Sequence, residues 1–262
     1  KNHIIAQADP NLGLWRKKIT PGLVNNASPG PHTPGQPQHP MNTPTHIEPA
    51  APPALGLAVV LAAGAGSRMG HRPKGLLHIN GQALIQRTLA HLRGAGIQDV
   101  VVVLGEHHDA LAPLLQSLGV ATVFNPQAMA LGIASSQRLG LAQLQGSHPW
   151  VMMALADQPL LQASDVRALI DAFENRPPGM QALYPQVNGQ PGNPVLFSRK
   201  AVAEILSTPS DFACKAWRQA QSARVLAWPS NHLGYVTDLD TPQDIEKLQL
   251  ETGWTCTWPT GS

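Results

Sequence analysis

The chain has 262 residues, 43% of them apolar, which predicts a globular protein of one or two domains with a sizeable core. The net charge is only +2, and outside residues 1–53 the fourteen basic and fourteen acidic residues cancel. A neutral body without a basic stripe argues against nucleic acid as a partner, and no apolar run is long enough to span a membrane. Cys214 and Cys256 are too few for a disulfide scaffold, so we expect reduced thiols in a cytoplasmic protein.

Proline marks the first segment of the chain. Residues 1–53 contain eleven of the 25 prolines and almost no periodic apolar pattern. Such a segment cannot bury enough surface to offset the entropy lost on ordering, so we expect a disordered tail, with a partner-binding arm as the alternative. The pattern then predicts one folded domain over 54–252 and a C-terminal tail over 253–262.

From residue 54 onward, short apolar runs alternate with amphipathic stretches. The apolar runs are continuous and rich in valine, which is typical of strands buried on both faces; they lie at 57–61, 99–104, 120–124 and 150–155. The amphipathic stretches have helical spacing and lie at 83–92, 109–118, 133–144 and 164–173. This alternation predicts an α/β domain with a doubly wound, mostly parallel sheet of the Rossmann-like type.

The second half of the chain is less regular. Short strands are expected at 181–185, 194–197 and 235–238, and helices at 199–206, 211–220 and 242–250.

The strongest chemical signal is the glycine-rich segment 61–74, directly after the first predicted strand. Its glycines let the backbone turn sharply and present N–H groups, while Arg68 and Lys74 add fixed positive charge, which is what a triphosphate requires. The segment lacks the Gly-Lys-Ser/Thr ending of a Walker loop, and Met69 stands where the dinucleotide fingerprint needs glycine. The predicted nucleotide-binding residues in this loop are Leu61, Ala62, Ala63, Gly64, Gly66, Ser67, Arg68 and Lys74.

Carboxylates follow two later segments. Asp157 comes after the fourth predicted strand, at the sheet edge where ligands bind in open α/β folds. Asp238 and Asp240 flank Leu239, so in extended backbone both carboxylates face the same way while Leu239 faces the core. These oxygen ligands suit a Mg²⁺ ion that bridges phosphates. A turn role for Asp157 and a cap of the last helix for Asp240 remain the alternatives.

Together these segments resemble the signature of nucleotidyltransferases that activate sugars and cofactors, and they are most similar to the molybdenum cofactor cytidylyltransferases. Besides the loop 61–74, the resemblance rests on 125–136, 156–159 and 238–242, and it covers residues 55–250. The segment 125–136 resembles the loop that opens the helix beside the nucleotide base. Gly132 and Ser135 in this segment are therefore expected to contact the nucleotide, with an ordinary exposed helix face as the alternative for the serine.

The resemblance implies transfer of CMP from CTP to the terminal phosphate of molybdopterin, with release of pyrophosphate. Lys74, Arg68 and Asp157 are the expected catalytic residues. Asp157 and Asp240 are expected to hold Mg²⁺, with assistance from Asp238. Molybdenum hydroxylases are the implied recipients of the product.

Two positions bear on specificity. Ala63 stands where guanylyltransferase relatives carry glycine, and its methyl group is expected to favour a one-ring base. The segment Gly192-Asn193-Pro194 resembles the acceptor-binding Gly-His-Pro motif, but asparagine replaces histidine. The alternatives are therefore a GTP-dependent molybdopterin guanylyltransferase, a sugar-phosphate nucleotidyltransferase, and a non-catalytic carrier of the molybdenum cofactor.

Overall fold

The computed structural model describes residues 54–144, 146, 148–209 and 211–259, so the predicted tail over 1–53 lies outside the described residues. The strands are β1 (Ala54–Ala62), β2 (His78–Ile79), β3 (Gln82–Ala83), β4 (Ile97–Leu104), β5 (Ala121–Phe124), β6 (Trp150–Leu155), β7 (Ala182–Val187), β8 (Gln190–Pro191), β9 (Val195–Ser198), β10 (Val225–Ser230) and β11 (Cys256–Thr257). The helices are α1 (Leu84–Gly94), α2 (His108–Ser117), α3 (Ala128–Leu141), α4 (Ala163–Glu174), α5 (Arg199–Leu206), α6 (Cys214–Ala220) and α7 (Pro242–Thr252). Over the described ranges, no helix combines the length and the apolar character that a membrane crossing needs.

The main sheet has the strand order β10-β7-β9-β6-β1-β4-β5, and β8 pairs with β7. Strands β5, β4, β1 and β6 are mutually parallel, β9 runs antiparallel to both of its neighbours, and β10 is parallel to β7. Helices α1, α2 and α4 cover one face, and α3, α5 and α6 cover the other. The predicted α/β fold with a mostly parallel sheet is therefore confirmed.

Strand β1 shows why the apolar runs are continuous. Val59 and Val60 are both fully buried, but they belong to the cores on opposite faces of the sheet. Helices cover both faces, so neither set of alternate side chains meets water, and the alternation of half-exposed strands is absent.

Helix α3 lies close against the sheet at Gly140. A side chain at this position would overlap Val59 on β1 and press against Val103 on β4. The glycine therefore lets the helix backbone lie against the two central strands. As a result, the first turn of α3 lies beside the loop that follows β1, where Ala128 and Gly64 line the same cleft.

In the second half, one predicted strand is wrong and one strand was not predicted. The strand expected at 235–238 is absent: Leu233–Tyr235 form a single 3-10 turn, and the next residues have no regular structure. The strand Val225–Ser230 was not predicted. It is a partly exposed edge strand that contains Pro229, and an edge position tolerates a proline that the pattern of a central strand would exclude.

The segment 253–262, expected to be a tail, contributes to the fold over its described part. Cys256–Thr257 pair antiparallel with β2 in a small three-stranded sheet. Trp254 and Trp258 pack against a third core that includes Met69 of the glycine-rich loop. Since β11 has only two residues, no periodicity could reveal it.

The close approach at Gly140 generates a prediction. We expect Gly140→Ala to lower the free energy of unfolding by about 1–2 kcal/mol, because overpacking costs more than the gain in helix propensity. Chemical denaturation of the variant measures this change. The control is the Val59→Ala variant, which lacks the methyl groups that a side chain at position 140 would overlap. In this variant, Gly140→Ala should lower the free energy of unfolding by less. An equal cost in both backgrounds would contradict the proposed contact.

Candidate active site

The loop after β1 is held in a tight turn. Gly66 has a φ of 61° and Gly70 a φ of 69°, both in the left-handed region that favours glycine. The carbonyl oxygen of Gly66 accepts the backbone N–H groups of Met69 and His71, at 2.8 and 3.0 Å. A side chain at Gly66 would overlap the carbonyl oxygen of Arg72. The conformation of the loop is therefore set by its own backbone before any ligand binds.

Four charged side chains meet at the carboxyl edge of the sheet, and we refer to them as the charge cluster. Lys74 Nζ donates to Asp157 Oδ2 at 3.0 Å and to Asp240 Oδ1 at 2.5 Å. Arg68 Nη2 donates to the other oxygen of Asp240, Oδ2, at 2.7 Å. Lys74 is only 20% exposed, whereas the Arg68 side chain is 66% exposed. The structure thus brings together three segments that lie far apart in the sequence.

Backbone hydrogen bonds hold the two carboxylate loops in place. Ala156 N donates to Leu61 O at 3.2 Å, and Leu239 N donates to Asp157 O at 2.9 Å. Leu239 is buried at 1% exposure, while Asp238 and Asp240 both line the cleft described below. The two carboxylates therefore face the same way although this stretch is not a strand.

Asp240 does not cap the last helix. The N-cap of α7 is Thr241, whose side chain accepts from Asp244 N at 3.3 Å. Asp244 Oδ2 in turn accepts from the backbone N–H of Asp240 at 3.0 Å. The Asp240 carboxylate is therefore free to contact Lys74 and Arg68.

The charges shift one another's pKa. Burial alone would lower the pKa of Lys74, but the Asp157 and Asp240 carboxylates outweigh burial and raise it. For Asp240, burial is opposed by Lys74 and Arg68, and the net effect is a lowered pKa. Burial, together with the nearby carboxylates of Asp157 and Asp240, raises the pKa of Asp238 to about 6. The shifts of Lys74 and Asp240 favour their ionised forms, whereas the surroundings of Asp238 disfavour its ionised form.

A cleft of about 340 Å³ opens beside the charge cluster. Seven residues predicted for the site line it: Leu61, Ala63, Gly64, Gly132, Asp157, Asp238 and Asp240. Ala62 and Lys74 line a smaller adjoining pocket of about 60 Å³. Ser67 is exposed in the 3-10 turn Ser67–Met69 and is not among the residues lining either space.

Helix α3 is interrupted at Gly132, which has φ 67° and ψ −169°. Helical structure was predicted from residue 133, whereas α3 already begins at Ala128 and bends at this glycine. Ser135 Oγ donates to Gly132 O at 2.8 Å and accepts from Asn125 Nδ2 at 2.8 Å. Ser136, rather than Ser135, is among the residues lining the cleft. Ser135 therefore stabilises the bend through its hydrogen bond to Gly132, and it does not line the cleft.

The predicted acceptor motif lies outside the cleft. Tyr235 O accepts from Asn193 N at 2.8 Å and from Gln158 Nε2 at 3.0 Å. A side chain at Gly192 would overlap the same carbonyl, and the peptide bond before Pro194 is cis. The motif is thus connected to the Asp157 loop through one backbone carbonyl.

Three positions that contribute to the site were not among the predicted site residues. A side chain at Gly105, directly after β4, would overlap the carbonyl oxygen of Ala63. His107 Nε2 lies 2.9 Å from Ala65 O and fixes the loop from the side. Asn125, after β5, is buried and holds α3. Each follows a strand that ends at the site, and this placement is the signal that could have identified them.

Comparison with known proteins gives the family. The model of the MobA-like NTP transferase domain matches residues 58–225, more than half of the chain. Bifunctional protein GlmU of Mycobacterium ulcerans is 36% identical over 119 residues, which is 43% of this chain and 24% of that protein. CMP-5'-(3-aminopropyl)phosphonate synthase of Streptomyces rubellomurinus is 46% identical over 70 residues, 25% of this chain and 11% of that protein. The chain thus spans a quarter or less of the length of these curated relatives.

A solved structure matches over a larger share. The crystal structure of Rv0371c from Mycobacterium tuberculosis H37Rv has a TM-score of 0.62 and 27% identity, covering 76% of this chain and 100% of that one. The family match includes most of β1, the glycine-rich loop and Asp157, which contribute to the cleft, whereas Asp238 and Asp240 lie beyond its end. The chain therefore belongs to the family of MobA-like NTP transferase domains.

Proposed function

We propose that this nucleotidyltransferase moves CMP from CTP to the terminal phosphate of a molybdopterin acceptor and releases pyrophosphate. The observation that carries the proposal is the charge cluster at the mouth of the cleft, where Lys74 and Arg68 meet Asp157 and Asp240. Two cations beside two carboxylates and a glycine-rich turn fit a triphosphate with its counterion. The wider activity, nucleotidyl transfer, agrees with the family.

The reaction needs alignment and charge compensation more than an acid or a base. An oxygen of the acceptor phosphate attacks the α-phosphorus of CTP, and the bond between the α-phosphorus and the oxygen that joins it to the β-phosphorus breaks, so that pyrophosphate leaves with this oxygen. Lys74 and Arg68 offset the charge that collects on the leaving group. Lys74 is held by two carboxylates in the free protein, so it exchanges one of these contacts for phosphate oxygens on binding.

The carboxylates fit a divalent cation such as Mg²⁺. Asp157 Oδ1 and Asp238 Oδ1 are buried, and neither has a hydrogen-bond partner in the described part of the chain. No three His, Cys, Asp or Glu side chains in that part are arranged to hold a metal by themselves, but Mg²⁺ commonly takes one or two carboxylates and completes its shell with phosphates and water. Asp157 and Asp240 would hold the ion, with Asp238 assisting, and the bound ion would neutralise phosphate charge. Rv0371c has been solved in complex with manganese.

The alanine at position 63 supports cytosine as the base. Ala63 lines the cleft, and its carbonyl is confined by Gly105 across the sheet edge. A methyl group here takes space that a two-ring purine needs, whereas a one-ring base still fits. The Streptomyces relative is named for a CMP-containing product, which agrees with this choice.

The acceptor is proposed on the resemblance of Gly192, Asn193 and Pro194 to an acceptor motif. These residues adjoin Gln158, next to the proposed metal ligand Asp157. A molybdenum hydroxylase would receive the product. Pyrophosphate release from a panel of triphosphates, with molybdopterin or sugar phosphates as acceptors, tests both substrates, and absence of turnover with every pair would favour a carrier.

Asp157→Asn tests the chemistry. We expect roughly a 10²–10³-fold loss of kcat at saturating Mg²⁺, because the variant loses a charged oxygen ligand at the reacting phosphates. Pyrophosphate release measures the rate, and circular dichroism checks the fold. The matched control is Asp211→Asn, an exposed aspartate outside the cleft. A near-normal rate for Asp157→Asn would refute the metal assignment.

Asp238→Asn should stabilise the metal-free protein at alkaline pH. The pKa of Asp238 is raised from 3.8 to about 6 in the folded state, so its ionisation costs stability progressively as pH rises through this interval. The amide carries no such cost. In EDTA, the stability gained by the variant should therefore grow by about 1–2 kcal/mol between pH 4.5 and 8. Denaturant titrations measure it, with Asp211→Asn as the reference; a gain independent of pH would contradict the raised pKa.

Ala63→Gly tests the base. Discrimination by one methyl group is modest, so the unmodified protein should prefer CTP over GTP by about 10–200-fold in kcat/KM. The glycine variant should narrow this ratio because it returns space to the purine. Ala62→Gly, in the adjoining pocket, should leave the ratio unchanged. Competition kinetics decide the point: equal or better use of GTP by the unmodified protein would overturn the cytidylyl assignment alone.

A further inference from the structure

A further cavity lies on the face of the sheet that α3, α5 and α6 cover, away from the residues that line the cleft. It has a volume of about 290 Å³ and lies between α6 and the strands β7, β8 and β10 at one end of the sheet. Its polar walls come from Tyr184 on β7, from Lys215, Arg218 and Gln219 on α6, and from Ser222. We refer to this cavity as the α6 groove.

Arg218 is the unusual residue of the groove. Its guanidinium carbon lies 4.9 Å from the centre of the Tyr184 ring. Arg218 Nε is buried and has no hydrogen-bond partner among the residues that the structure describes, and no carboxylate there is within ion-pair distance. Burial lowers the pKa of this arginine and outweighs the opposing effects of the Cys214 and Tyr184 side chains. The aromatic face offsets some of this cost, but an arginine has five donors to satisfy.

Arg224 and Arg138, on the same face of the sheet, both have hydrogen-bond acceptors. Arg224 Nη2 donates to Glu204 Oε1 at 2.9 Å, and Trp217 Nε1 donates to Glu204 Oε2 at 3.1 Å. Arg138 donates to several backbone carbonyls, including that of Phe212 at 3.0 Å. The carboxylate of Glu204 therefore already binds Arg224 and Trp217, and Arg218 has no carboxylate partner among the described residues.

Lys215 adds a second positive charge to the groove. It is exposed, lies one helical turn before Arg218 on α6, and forms no ion pair with any described residue. Within the described part of the chain, no acidic side chain lines the groove. Two cations that line one cavity without a neighbouring carboxylate repel each other, and a bound anion would relieve this repulsion and accept hydrogen bonds from the exposed Lys215.

We propose that the α6 groove binds a phosphate-bearing small molecule at a site separate from the cleft. The planar guanidinium of Arg218 matches phosphate oxygens, and Lys215 and Ser222 supply further donors. The half-buried Tyr184 ring and the apolar rim offer contact for a non-phosphate part. The volume is at the lower end of small-molecule pockets, so it exceeds the needs of phosphate alone.

The ligand has two possible sources with the same chemistry. Pro191 of the groove directly precedes the predicted acceptor motif at Gly192, so the phosphate could belong to an extended acceptor. It could equally belong to a separate metabolite. The anion site stands independently of the proposed CMP transfer, because its binding is measured without turnover.

Hydrogen–deuterium exchange of the full chain with magnesium-free inorganic pyrophosphate tests the site. Peptides that cover 214–226 should exchange more slowly when pyrophosphate is present, whatever happens at 61–74. Arg218→Gln and Lys215→Gln should each raise the pyrophosphate concentration needed for half-maximal protection by roughly ten- to hundredfold. Lys200→Gln removes an exposed charge from α5 on the same face and should leave it intact. Since Lys215 is exposed, its variant keeps the test valid if Arg218→Gln does not fold.

The proposal would be overturned if pyrophosphate protected only residues 61–74. It would also be overturned if both groove variants were protected as strongly as the unmodified protein. Kinetics then separate the two sources. If the ligand is the acceptor, Lys215→Gln raises the KM for the acceptor at unchanged kcat. If it is a separate metabolite, the KM stays unchanged while pyrophosphate still protects the unmodified protein, and both results support the anion site.

Discussion

The site depends on one ammonium group held between two carboxylates. Lys74, Asp157 and Asp240 come from three distant parts of the chain, and their ion pairs join those parts in the absence of any ligand. Since the lysine is largely buried, these contacts are stronger than ordinary surface pairs, and breaking one of them without a substitute is costly. A triphosphate with its cation is a substitute of the required kind, because it supplies a negative charge to the lysine and a positive charge to the carboxylates.

The fold brings these three parts together through two layers of support. The parallel strands β1 and β6 end at the same edge, so the glycine-rich loop and Asp157 emerge side by side. Below the loop, the third core packs Met69 against Leu239 and the C-terminal tryptophans. The loop is therefore supported both from the sheet and from the last described residues, and its shape does not rely on bound phosphate.

Sequence patterns predicted the parts of this arrangement that repeat or carry charge. The apolar runs identified the four parallel strands β1, β4, β5 and β6, although β5 is a largely exposed edge strand and not buried on both faces as expected. The glycine-rich loop, Asp157, Asp238 and Asp240 all proved to be close together in space. Predictions failed where the signal is a single contact: β10 carries a proline at an edge, β11 has two residues, and Gly105 matters because another backbone lies against it. The bend at Gly132 was also missed, because residues before it were expected to form a loop and helix was predicted only from residue 133. No local rule encodes contacts between residues so far apart in the chain.

The carbonyl of Tyr235 joins two regions that substrates approach separately. It accepts from Gln158 in the loop of the proposed metal ligand and from Asn193 in the proposed acceptor motif. A ligand that shifts one of these loops must strain or release the other through the shared oxygen. Under the proposed assignment, binding of the acceptor and of the cation would then be thermodynamically linked, and by reciprocity each would change the affinity for the other by the same factor. Such linkage would favour a fixed order of assembly, in which the second substrate meets a site already adjusted by the first.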